Sequence, residues 1–141
     1  MHTANTEQKR WIQNRIEGPR SQPSFSAEYK RHILERLNAA EGLEKYLHTR
    51  YVGQKRFSGE GGESLIPLLD NLLQRAGQMG IQQMVIGMAH RARLNVLVNT
   101  LGKMPADLFQ DFDGKHPHEL TGGEVKCPQG FTPALPRPVG V

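Results

Sequence analysis

VIGMAHRARL, residues 85–94, is the stretch of sequence that decides the predicted fold. The apolar run from Met84 to Ile86 is typical of a buried strand in a parallel sheet, and Gly87 ends it abruptly. A helix is then predicted from near Arg91 to Gly102, because apolar residues recur there at helical spacing. The stretch therefore predicts one short buried strand near 82–87, a tight turn and a helix.

The rest of the chain is dominated by helical patterns. A first helix is predicted from Thr6 to Gly18, and a long amphipathic helix from an N-cap at Ser26 to about Leu47. A third follows over 63–76, and a short one opens with Pro105 at its first position. The predicted fold class is mostly α, with the beginning of an incomplete α/β domain.

Composition narrows the function classes. The 141 residues are 37% hydrophobic and 23% charged, with a formal net charge of +4 at pH 7. Basic residues are spread along the chain and aromatic residues are few, which disfavours nucleic-acid binding. No apolar run is long enough to span a membrane. A single cysteine, Cys127, and no secretory pattern lead us to expect a reducing, cytoplasmic location.

The turn after the predicted strand is the first candidate site. Ligands of α/β sheets bind at the carboxyl ends of strands, and a helix N-terminus favours anions. His90 and Arg91 lie there, so the turn suits an anionic small molecule. The alternative is that His90 only caps the helix and the arginines are solvated.

Other polar segments are weaker candidates for a binding or metal site. The glycine-rich loop at 55–62 could approach a ligand closely, or it could be a flexible connector. His116 and His118 form a weak metal pair without a visible third ligand, so solvated histidines are favoured. Glu44 follows Glu41 by one turn on the long helix, and the apolar stripe predicts that Glu44 faces solvent.

Several segments together resemble a known family. They are residues 25–58, FSAEYKRHILERLNAAEGLEKYLHTRYVGQKRFS, then 60–73, EGGESLIPLLDNLL, and 85–109, VIGMAHRARLNVLVNTLGKMPADLF. With the GKH that follows, they resemble the E1 component of bacterial 2-oxoglutarate dehydrogenase over about residues 7–131. The motifs occur in the family's order, so chance similarity is excluded.

The resemblance implies an activity and partners. It implies thiamine-diphosphate-dependent oxidative decarboxylation of 2-oxoglutarate, with Mg²⁺, and reductive succinylation of a lipoyl group on the E2 partner. It also implies a homodimer. His90 is expected to face the substrate, Phe57 to line the substrate site, and Arg91 to contact thiamine diphosphate.

The sequence departs from the family pattern at three site positions. Gly59 replaces the leucine of RFSLEGG, and Ala92 replaces the second glycine of GMAHRGRL. The added methyl group of Ala92 is expected to matter most if the backbone there has a positive φ. Pro128 stands where the family has a second substrate histidine. The sequence holds no Gly-Asp-Gly, the family's metal motif.

We predict three regions. Residues 1–50 form a helical amino-proximal region, 51–125 begin the thiamine-diphosphate-binding domain, and 126–141 form a divergent tail that we expect to be unstructured. We hypothesise that this tail is an out-of-frame translation. The chain is expected to be a fragment that is inactive alone. The alternative is a non-catalytic helical binding module for E1 or E2 subunits.

Overall fold

A computed structural model of the chain describes residues 5–18, 22–113 and Pro133. It contains five helices in these ranges: α1 (Thr6–Glu17), α2 (Ala27–Arg50), α3 (Leu65–Gln78), α4 (Arg93–Asn99) and α5 (Pro105–Phe112). The prediction of a mostly helical chain is confirmed. The helices form two compact units, one up to Arg31 and one from His32 onward.

The first unit contains α1 and the beginning of α2. The Asn5 side chain caps α1 by accepting hydrogen bonds from the backbone N–H groups of Glu7 and Gln8. Ser26 caps α2, because its hydroxyl oxygen accepts a hydrogen bond from the backbone N–H of Tyr29. The predicted cap at Ser26 is therefore confirmed.

The core of the second unit is built around the short helix α4. Leu94 packs with Leu47, Leu108 and Phe112, which come from α2 and α5. On another face of α4, Val96 packs with Ala40 of α2 and Ile66 of α3. Burying each large apolar side chain stabilises the fold by about 1.5–3 kcal/mol. Because α4 takes part in both clusters, it holds α2, α3 and α5 in one unit.

The predicted strand near 82–87 is wrong. Residues 81–89 form neither helix nor strand, and no β-strand occurs in the ranges 5–18 and 22–113. The side chain of Val85 is 97% exposed rather than buried. A strand needs a neighbouring strand to pair its N–H and C=O groups, and the described residues provide none. The apolar run that suggested a strand therefore lies at the surface of this unit.

The predictions made for the end of the chain are not tested by the structure. The predicted tail at 126–141 lies outside the described residues, apart from Pro133, and so do His116, His118, Cys127 and Pro128. Among the described helices, none is long and apolar enough to cross a membrane.

Candidate functional site

A buried carboxylate on α2 organises the polar side of the second unit. Glu44 is only 4% exposed. Its Oε1 accepts hydrogen bonds from the backbone N–H of Gly59 at 2.9 Å and from Asn95 Nδ2 at 3.1 Å. Its Oε2 accepts one from Arg56 Nη1 at 2.8 Å. The expectation that Glu44 faces solvent is wrong, since the chain folds a guanidinium and an amide onto it.

Arg56 is the cationic partner of that carboxylate. Its side chain is 12% exposed, and Nη1 also donates to the backbone oxygen of Glu44 at 3.3 Å. Nη2 lies 3.1 Å from His48 Nδ1, and the same group lies 3.5 Å from the Glu60 carboxylate. Buried charges are tolerated when they are paired and hydrogen-bonded in this way. Arg56 therefore anchors the loop to α2, and this part of the glycine-rich segment is more than a flexible connector.

The loop is also tied directly to the turn before α4. The backbone N–H of Ala92 donates to the backbone oxygen of Phe57 at 2.9 Å. Both residues have positive φ angles, 45° at Phe57 and 61° at Ala92. A left-handed conformation costs a residue with a Cβ about 1–2 kcal/mol. Such strained positions cluster at functional sites, where the surrounding structure holds them.

The backbone at Ala92 does have the positive φ at which the added methyl group was expected to matter most. The methyl group is accommodated, since Ala92 is 7% exposed and packed, while its backbone adopts the positive φ that favours glycine. Helix α4 begins at Arg93, two residues later than the sequence predicts, because the left-handed Ala92 stands at its N-cap.

The three predicted site residues lie together at this junction. The rings of Phe57 and His90 have centroids 5.3 Å apart, tilted by 34°. Arg91 Nη2 donates to the backbone oxygen of Glu60 at 2.9 Å, which brings the guanidinium over the loop. Phe57 is 40% exposed, and His90 and Arg91 are also exposed. An aromatic wall, an imidazole and a fixed positive charge thus face solvent side by side.

The surroundings of the turn lower the pKa of one carboxyl group, that of Glu63. Hydrogen bonds from the backbone N–H groups of Glu63 itself and of Gly61 hold the pKa of the Glu63 carboxyl below its usual value. The positive charge of Arg91 lowers that pKa further. The loop therefore keeps Glu63 charged, and this charge offsets part of the positive potential of Arg91.

Glu44 and Asn95 support the junction but were not predicted from the sequence as site residues. Asn95 is 3% exposed, and its Nδ2 also donates to the backbone oxygen of Ala40 at 2.9 Å. A polar residue inside the apolar run LNVLV was the available signal, because buried amides require partners. For Glu44 the signal was weaker, since helical spacing places it between Ala40 and Leu47 at the edge of the apolar stripe.

Several bacterial proteins are similar to this chain over most of its length. The chain is 63% identical over 132 residues to the 2-oxoglutarate dehydrogenase E1 component of Cupriavidus necator, covering 94% of this chain. It is 57% identical over 131 residues to that of Azotobacter vinelandii, and 46% identical over 132 residues to that of Haemophilus influenzae. In each case the chain spans 14% of the relative's length. No protein-family model matches the chain.

Proposed function

The chain belongs to the 2-oxoglutarate dehydrogenase E1 component family, as a fragment, and we propose that its loop and turn form part of the site for 2-oxoglutarate. The junction of Phe57, His90 and Arg91 carries this proposal. The side chains of these residues, which come from two separate segments, are brought together by direct backbone and side-chain hydrogen bonds. A substrate with two carboxylates is complementary to the imidazole and guanidinium there.

Each residue has a distinct proposed role. His90 donates a hydrogen bond to the substrate, and the Phe57 ring orients that imidazole by packing against it. Phe57 also excludes water from one side of the substrate. Arg91 supplies a positive charge that cannot be lost near neutral pH, held in place by Glu60.

Thiamine diphosphate is the proposed cofactor of the whole E1 protein, where it provides the carbanion chemistry of decarboxylation. The exposed guanidinium of Arg91 fits the negative charge of its diphosphate. The described residues include no cluster of three or more acidic, histidine or cysteine side chains that could hold a metal ion. We assign the diphosphate contact to Arg91.

The region from 51 to 125 is proposed to begin the cofactor-binding domain. The loop–turn junction lies in this region, and helices of the same unit bury its supports, Glu44 and Asn95. The lipoyl-bearing E2 subunit and a second E1 subunit are proposed partners of the whole protein. Residues 1–50 are proposed as the amino-proximal helical region.

A chimera tests the proposed function. The segment of the Cupriavidus necator relative that matches residues 22–113 of this chain is replaced by those residues, which hold the whole junction and leave out Pro128. The 2-oxoglutarate-dependent reduction of ferricyanide is then measured. We expect the chimera to turn over 2-oxoglutarate in preference to pyruvate, and this chain alone to give no turnover. A folded, inactive chimera would contradict the proposal, and turnover by the chain alone above a no-protein blank would contradict its inactivity.

A further inference from the structure

The loop and the turn also meet at two small residues, Gly59 and Ala92. Gly59 is buried, and its φ lies outside the left-handed region, so its backbone conformation does not require glycine. A Cβ atom built on Gly59 would lie 3.0 Å from the Ala92 Cβ and 3.3 Å from Glu44 Oε1. A Cβ at this position would therefore require the Ala92 methyl group or the Glu44 carboxylate to shift by a few tenths of an ångström.

Ala92 supplies the other half of the contact. Its methyl group fills the space that Gly59 leaves, although its φ of 61° disfavours any Cβ. Ala92 directly follows His90 and Arg91 in the chain, and Gly59 follows Phe57 by two residues. Each small residue is therefore close in sequence to a residue of the proposed site. Any change in the separation of Gly59 and Ala92 must move the loop against the turn, because the interior packs tightly.

We propose that Gly59 and Ala92 are a coupled pair of positioning residues that sets the distance between Phe57 and His90. Enlarging residue 59 pushes the two segments apart, and removing the methyl group of residue 92 restores the space. This proposal deepens the proposed function, since it concerns the same junction, but its packing claim is tested without substrate.

A double-mutant cycle on the full chain measures the coupling. Urea unfolding is followed for the unchanged chain, Gly59→Ala, Ala92→Gly and the double variant. We expect Gly59→Ala to lower the folding equilibrium constant when residue 92 is alanine. When residue 92 is glycine, the factor by which Gly59→Ala lowers that constant should be smaller by about fivefold or more. Gly42→Ala is the matched control, because nothing lies within 4 Å of a Cβ at this exposed helical glycine. Its effect should be the same in both backgrounds.

A spectroscopic readout separates positioning from general stability. The Phe57 ring shifts the His90 ring resonances, so Gly59→Ala should move them, the double variant should move them back, and Gly42→Ala should leave them unchanged. Additive unfolding effects within about twofold, or unmoved His90 resonances, would overturn the proposal. If Gly59→Ala does not fold, a folded double variant supports the coupling and an unfolded one refutes it. An inactive chimera would contradict the proposed function but would not bear on the coupling between residues 59 and 92.

Discussion

Replacing Glu44 by glutamine tests whether the buried carboxylate holds the loop. The glutamine oxygen can still accept from the Gly59 N–H and Asn95 Nδ2, as Oε1 of Glu44 does. The amide nitrogen then occupies the place of Oε2, 2.8 Å from Arg56 Nη1, where two donors face each other. The substitution therefore removes one charged hydrogen bond and leaves the nearly buried guanidinium without its main counter-charge.

The expected cost follows from those contacts. A hydrogen bond between charged groups contributes about 1.5–3 kcal/mol, and losing a buried ion-pair partner costs more. Arg56 keeps the backbone oxygen of Glu44, His48 and the more distant Glu60 as partners, which limits the loss. We expect Glu44→Gln to lower the free energy of unfolding by about 2–3 kcal/mol.

Glu41→Gln is the matched control on the same helix. Glu41 pairs with Lys45 at 2.8 Å, but the two side chains are 55% and 72% exposed. Such exposed pairs one turn apart contribute about 0.3–0.5 kcal/mol. In urea unfolding at pH 7, with an m-value of about 1.5 kcal/mol/M, the midpoint should fall by about 1.3–2 M for Glu44→Gln and about 0.3 M for Glu41→Gln. Equal midpoints for the two variants would refute the account of the buried network.

Three further predictions concern the core, an inter-helix contact and pH. Leu47→Ala should cost about 2–5 kcal/mol in urea unfolding, because Leu47 is 1% exposed, whereas Leu34→Ala on the same helix, 57% exposed, should cost under about 1 kcal/mol. His32→Ala should cost about 1 kcal/mol, because His32 Nε2 lies 2.7 Å from Asp70 Oδ2 and joins α2 to α3; equal stability in urea would refute that contribution. The lowered pKa of Glu63 means that its stabilising effect is present above the unfolded pKa and lost as pH falls through the folded pKa. Glu63→Gln should therefore flatten the acid-side decline of the urea midpoint, and an unchanged decline would contradict this assignment.

The helices could be predicted from the sequence because each carries a local signal. Ser26 marks the start of α2, Pro105 opens α5, and apolar spacing marks the rest. The sequence led to a wrong prediction of a strand at 82–87, because strand formation depends on a partner strand elsewhere in the chain. Met84 to Ile86 have the composition of a buried strand, but burial and pairing are properties of the surrounding chain, and the described residues supply neither.

The residues of the candidate site could be named from the sequence, but the contacts between them could not be predicted. His90, Arg91 and Phe57 were identified from motifs, and the structure places them together. Gly59 and Ala92 were recognised as separate departures from the family pattern. Only the three-dimensional structure shows that they touch, because 33 positions separate them in the chain. Glu44 was missed for the same reason, since its partners follow it by 12, 15 and 51 positions.

The most direct test of the central claim is the activity of His90→Ala in the chimeric E1 protein. We predict that 2-oxoglutarate-dependent ferricyanide reduction falls by about 100-fold or more, as for loss of a positioned hydrogen-bonding or acid–base group. The control, His32→Ala, removes a histidine of α2 that contacts Asp70, and should keep activity near that of the unchanged chimera. If the folded His90→Ala chimera retains that activity, the assignment of this junction to the substrate site is contradicted.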